Sequence, residues 1–116
     1  MKHIEDNTQE ACVTWFGLQY PLYEKLLFHV PNGGKRDKKE AVRLKKQGVK
    51  RGVSDLVLLV ANREFNALCI EMKTMDGTQD KGQKEFEKAV KEAGNAYCIA
   101  RNIHQFMNII NDYLNE

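Results

Sequence analysis

A chain of 116 residues has room for one domain around one core, and residues 1–116 are read as such a unit. With 42% hydrophobic and 29% charged residues the composition is that of an ordinary globular protein, and no apolar run approaches the roughly 20 residues a membrane span needs. The net charge of +2 conceals an asymmetry, because residues 35–51 carry +7 and the remainder −5.

The opening MKHIEDNTQE has no apolar stretch after its first Lys, so no secretory signal is expected and a cytoplasmic location is. Cys12, Cys69 and Cys98 are odd in number, widely spaced and set among apolar residues. Buried thiols are expected rather than disulfides. His3, His29 and His104 show no metal-ligand spacing with them, which speaks against zinc.

Residues 7–18 read as a helix, with Asn7 or Thr8 as cap and Cys12, Trp15, Phe16 and Gln19 at turn spacing. Pro21 bars it from running much further. Residues 26–30 read as a short strand closed by the turn signal Pro31-Asn32-Gly33-Gly34. Residues 37–47 form a helix with Ala41, Val42 and Leu44 on one side and Gly48 as terminator. The run LVLLVA at 56–61 predicts a strand buried on both faces. After a polar turn at 62–66, ALCIEMK at 67–73 predicts its hairpin partner. Residues 82–93 form an amphipathic helix with Phe86, Ala89, Val90 and Ala93 inward, stopped by Gly94. A strand at 97–100 and a helix at 103–114, with Phe106, Ile109, Ile110 and Tyr113 as its stripe, complete the chain. The order predicts an α/β fold: a mixed sheet of about four strands flanked by helices, with the last strand parallel to an earlier one.

Glu71 and Lys73 are anomalous, because they stand two apart in an apolar strand and so share one face. Buried charge is costly unless paired or metal-bound. Asp55 lies at the mouth of the preceding apolar strand, and hairpin pairing can bring it near Glu71. Two carboxylates repel, and a divalent cation relieves that repulsion. Oxygen ligands with an open coordination sphere suit Mg²⁺ or Mn²⁺. A nearby Lys73 ammonium can hold the attacking water or stabilise charge building on a phosphate. The plain alternative is a strand-end ion pair between Glu71 and Lys73. The basic residues Lys35, Arg36, Lys38, Lys39, Arg43, Lys45, Lys46, Lys50 and Arg51 form the electrostatic footprint of a phosphate-backbone binder, with a solvated helix face as the alternative.

Gly-Val-Ser-Asp-Leu at 52–56 followed by Ile-Glu-Met-Lys at 70–73 resembles the PD-(D/E)XK nuclease superfamily, and within it the VRR-NUC family. The resemblance spans nearly the whole chain. It takes in Glu10 on the N-terminal helix, Asn32-Gly33 after the first strand, the basic helix, Asp55, Glu71 with Lys73, and Gln83 opening the next helix. It implies that Asp55, Glu71 and the backbone carbonyl of Met72 bind the metal, that Lys73 is the catalytic lysine, that Glu10 reaches the metal directly or through water, and that Gln83 supports the site. Ser54 departs from the family, which usually has Pro there, and puts local rigidity in question. Outside the resemblance, Glu10 could complete a capping pattern with Asn7, Gln83 could be an exposed helix residue, and Asn32-Gly33 could be only a turn.

The expectation is a Mg²⁺- or Mn²⁺-dependent endonuclease acting on DNA, with no small-molecule cofactor and no membrane. The resemblance points to branched DNA such as four-way (Holliday) junctions, and a phage or bacterial stand-alone form fits so short a chain. A homodimer is expected, because one domain has one metal centre and a symmetric cut through two strands needs two. The alternatives are a catalytically silent DNA-binding module of the same fold, or a nuclease acting on other DNA or on RNA.

Overall fold

The computed structural model describes residues 2–31 and 37–115. Helix α1 (Lys2–Gln19) is followed by a 3₁₀ helix at Pro21–Leu26, strand β1 (Leu27–His29), helix α2 (Lys38–Lys46), strands β2 (Leu56–Leu58) and β3 (Leu68–Met72), helix α3 (Lys81–Glu92), strand β4 (Ala96–Ala100) and helix α4 (Ile103–Leu114). The sheet has the order β1-β2-β3-β4. β2 pairs antiparallel with both β1 and β3, and β4 joins β3 in parallel after the α3 crossover. The expected hairpin and parallel last strand are both present.

Side-chain alternation divides the sheet into two faces. Leu56, Leu58, Leu68, Ile70, Met72, Ala96 and Ala100 pack with Cys12 and Phe16 of α1 and Phe106, Ile110 and Tyr113 of α4. On the other face Cys69 and Tyr97 meet Val90 of α3, with Val57, Phe86 and Ile99 beside them. β3 is buried along its whole length, and it carries Glu71 into the interior at 3% exposure. Cys12, Cys69 and Cys98 are free thiols, all pushed up by burial, Cys12 to about 11.

Several details differ from the sequence expectation. α1 starts at Lys2, so Asn7 and Thr8 lie within the helix and do not cap it. It ends where Tyr20 leaves helical geometry ahead of Pro21, whose ring then serves the 3₁₀ helix at its first turn. β2 stops at Leu58; Leu59 is 54% exposed, so the apolar run is not buried on both faces throughout. Of the four apolar residues expected inward at 82–93, Phe86 and Val90 pack on the sheet, while Ala89 and Ala93 are exposed. α2 has no buried residue: its Ala41 and Val42 are exposed and its Leu44 is half-buried. It is held by Asp37, whose side chain caps it at Glu40 N–H, and stops before Gly48, which takes φ +107°.

Candidate active site

The site forms where the approach to β2, the end of β3 and the start of α3 converge. Asp55 precedes β2. Its backbone carbonyl accepts the Val30 N–H at 2.9 Å and lies 2.8 Å from His29 Nδ1, so β1 fixes its main chain. Its side chain reaches the next strand, where Oδ2 accepts the Met72 N–H at 2.7 Å. That anchor delivers Asp55 to Glu71, so that the charge of one carboxyl is felt by the other. Ser54, fully buried, donates its hydroxyl to the Leu56 carbonyl at 3.1 Å. A side-chain hydrogen bond thus braces the segment that leads into Asp55.

Glu71 is held well above the ordinary carboxylate range, at about 8. Burial is the largest cause, followed by the negative charge of Asp55 and the hydrogen bond to it, while Lys73 and Tyr97 pull the other way. Its Oε2 accepts from Gln83 Nε2 at 3.0 Å. Gln83 is the third residue of α3 and belongs to a capping box: Asp80 accepts from Gln83 N–H at 2.9 Å, and the Gln83 amide oxygen accepts from Asp80 N–H at 3.0 Å. With its oxygen committed to the cap, the amide NH₂ is the end turned toward Glu71.

The start of α3 reaches this position because Gly52 admits it. Gly52 takes φ +79°, and a Cβ there would lie 2.3 Å from the Gly82 carbonyl oxygen. Only a residue without a side chain permits that backbone approach.

Lys73 is half-buried, with its N–H donating to the Ala100 carbonyl at 3.0 Å. Among the described residues the salt bridge within 4 Å is Lys91–Glu87, at 2.6 Å, so Lys73 and Glu71 do not form the strand-end ion pair considered as the plain alternative. Glu10 is exposed on α1. Among the described residues no third Asp, Glu, His or Cys joins Asp55 and Glu71 closely enough to share an ion. The structure therefore brings Asp55, Glu71 and Gln83 together and does not bring Glu10 to them.

A cleft of about 680 Å³ opens over the pair, lined by Asp55, Glu71, Asp80 and Gln83 and also by Ala41, Leu44, Lys45 and residues 49–53, among them Lys50 and Arg51. The basic segment divides between two places. Lys45, Lys50 and Arg51 share the cleft with the carboxyl pair, whereas Lys38, Lys39, Arg43 and Lys46 line a separate groove with Val42 and Gln47. Lys35, Arg36, Asn32 and Gly33 lie outside the described residues.

Three contributors lack any sequence signal. Tyr97, 8% exposed, places its hydroxyl 3.5 Å from Glu71 Oε1 and accepts from Gln79 Nε2 at 3.2 Å. Gln79 also donates to Glu87 at 3.0 Å. Arg101 gathers the carbonyls of Thr74, Met75 and Gly77. An ordinary strand tyrosine, a loop glutamine and an arginine after a strand become visible only once β4 is docked on β3.

No family model matches the sequence, and no curated protein matches it. Among solved structures the fold is similar to one described as a VRR_NUC domain protein, with a TM-score of 0.84 and 25% identity, over 96% of this chain and 88% of that one. At that coverage the likeness extends over nearly the whole chain. It bears out the resemblance seen in the sequence and supports assigning this chain to the VRR-NUC family, with a PD-(D/E)XK-like fold.

Proposed function

We propose that this chain is a divalent-metal-dependent nuclease that hydrolyses phosphodiester bonds in DNA, with Asp55, Glu71 and the Met72 carbonyl as metal ligands and Lys73 as the catalytic lysine. The observation that carries the reading is a pair of neighbouring carboxyls, Glu71 buried and Asp55 anchored on the adjacent Met72 N–H, in a cleft that also presents Lys45, Lys50 and Arg51. The donor set fits Mg²⁺ or Mn²⁺. It consists of hard oxygens, its two carboxyls repel each other, and among the described residues no third acidic side chain lies close enough to share an ion with them. Bound there, such an ion would activate water and offset charge on the phosphate.

The chain's own residues divide the remaining tasks. Met72 N–H and Gln83 aim the two carboxylates. Lys73 orients the attacking water or stabilises the charge that builds on the phosphate. The cationic side of the cleft holds the DNA backbone. We further read the substrate as branched DNA such as four-way junctions, the working form as a homodimer and the location as cytoplasmic; none of the described helices is long and apolar enough to cross a membrane.

Incubation of the protein with labelled duplex, flap, four-way and single-stranded RNA substrates, with and without Mn²⁺, tests this. Metal-dependent cutting of DNA, strongest on the four-way form, is expected. Cutting that persists in chelator, or of RNA alone, would refute the reading.

The division of the basic segment gives a second expected result. If Lys45 and Lys50 each neutralise a phosphate, changing both to Ala should make the slope of log affinity against log salt shallower by about 1.8, at roughly 0.9 for each phosphate no longer neutralised. The weakening should be uniform over sequences, since phosphate contacts carry no base information. Lys38 and Lys46 face the separate groove, and the same double change there should move the slope less. Fluorescence anisotropy titrations over a salt series check both.

A further inference from the structure

Lys73 and Arg101 follow directly on the paired ends of β3 and β4, where Met72 stands opposite Ala100 and Lys73 N–H donates to the Ala100 carbonyl. From there the Arg101 side chain reaches over the turn that follows Lys73. Its Nη1 donates to the Gly77 carbonyl at 2.6 Å and the Thr74 carbonyl at 2.8 Å, with the Met75 carbonyl at 3.4 Å. Arg101 is half-buried, and among the described residues it has no carboxylate within salt-bridge distance. A cation withdrawn from water without a counter-ion is costly unless acceptors surround it. Here those acceptors all belong to one turn.

That turn in turn bears on the lysine. Gly77 N–H donates back to the Thr74 carbonyl at 3.2 Å, closing the turn. A Cβ added at Gly77 would lie 3.3 Å from Lys73 Cδ and 3.1 Å from Thr74 Oγ1, so the lysine stem lies against the turn's backbone. We propose that Arg101 is a positioning residue for Lys73: by gathering the carbonyls of Thr74 and Gly77 it holds the turn against the lysine stem and so sets where the ammonium stands. This rests on the reading of Lys73 as the catalytic lysine.

The test is a double-mutant cycle on the full chain. Single-turnover cleavage of a four-way junction in Mn²⁺ is measured for the parent, Arg101→Ala, Lys73→Ala and the double variant, with Mn²⁺ affinity followed by calorimetry. A displaced reacting group commonly costs up to about a hundredfold in rate. Arg101→Ala should therefore cut the rate at saturating DNA by about ten- to a hundredfold, with Mn²⁺ affinity and KM within about twofold of the parent. In the Lys73→Ala background the Arg101 change should have no further effect, since a positioning residue has nothing left to position. Multiplying losses, or a fall in Mn²⁺ affinity along with the rate, would instead mark Arg101 as general scaffolding and overturn the proposal.

Gly77→Ala provides the independent arm should Arg101→Ala fail to fold. It crowds Lys73 Cδ and Thr74 Oγ1 while leaving the Arg101 side chain intact, and its loss of rate should likewise vanish in the Lys73→Ala background. If it persists there, the proposed route to the lysine is wrong. A fully active Lys73→Ala enzyme refutes the underlying reading of Lys73. An inactive Lys73→Ala beside a fully active Arg101→Ala refutes the positioning role alone.

Discussion

Replacing Glu71 by Gln is expected to abolish cleavage and, at alkaline pH, to stabilise the metal-free protein. The two effects have one origin. In the folded state Glu71 holds its proton to about pH 8, against an ordinary value of 4.5. Between those values the unfolded chain has released that proton and the folded chain has kept it. The native state then binds more protons, so the contribution of this group to stability falls as pH rises and levels off above the folded value. One pKa unit corresponds to about 1.4 kcal/mol, so the penalty at pH 8 and above is on the order of a few kcal/mol. Gln keeps the shape of the protonated acid and never incurs it. Thermal melts from pH 5 to pH 9 should show the variant and parent converging at the acid end and the variant ahead at the alkaline end.

Metal is expected to reverse the order. Mn²⁺ should raise the melting temperature of the parent, more at pH 8 than at pH 6 because the ion must displace the Glu71 proton, and should leave Glu71→Gln unmoved. A variant destabilised at alkaline pH, or one that still cuts DNA, would remove Glu71 from the centre. Lys73→Ala offers a contrast within the same site. It should lower the rate by orders of magnitude while Mn²⁺ binding and DNA affinity hold, the signature of a group that acts only in the transition state.

Gly52→Ala is expected to be among the most damaging single methyl additions available in this chain. The new carbon would meet the Gly82 carbonyl oxygen and carbon at 2.3 and 2.4 Å and Gln83 N at 2.9 Å, all of them backbone. No rotamer relieves such a clash, so α3 must back away or the segment before Asp55 must refold. Overpacking against a rigid neighbour costs roughly 1–3 kcal/mol, and a side chain at φ +79° adds about 1–2 kcal/mol of its own. Gly48 isolates the second cost: at φ +107° a methyl there would meet nothing within 4 Å, so Gly48→Ala should show conformational strain alone. Urea melts of the two variants should differ by the clash. Gly52→Ala should also lose activity out of proportion to its stability, because the part that moves carries Gln83. Equal losses in the two variants would mean that the close approach of Gly52 to α3 matters little.

The elements that can be read in the sequence are those whose burial follows a simple period. The hairpin of β2 and β3 and the stripe of α4 follow from apolar spacing, the parallel β4 from the helix that precedes it, and Glu71 and Lys73 stand out because charge interrupts that spacing, with Asp55 at the mouth of the strand before them. Periodicity fails where a small side chain is compatible with either environment, as for Ala89 and Ala93, and where an apolar run outlasts its strand, as at Leu59. It also misplaces the start of α1, because a plausible cap at Asn7 says nothing about whether the residues before it also take up helix. Tyr97, Gln79 and Arg101 are illegible for another reason. Their roles depend on the parallel register of β4 against β3, a long-range pairing that no local pattern specifies. Glu10 shows the converse, a residue named by resemblance that sits on an exposed face of α1.

Gln83 carries a lesson about which substitutions the site can tolerate. As the third residue of α3 it has to offer an acceptor to the Asp80 N–H, and for that purpose Glu and Gln are equivalent. Its other end has to offer a hydrogen to Glu71, and there the equivalence fails, since glutamate would bring a further carboxylate to the pair in place of a donor. A change that helix statistics rate as neutral is thus forbidden by chemistry one strand away, and the freedom of this position to vary is set by its more exacting neighbour.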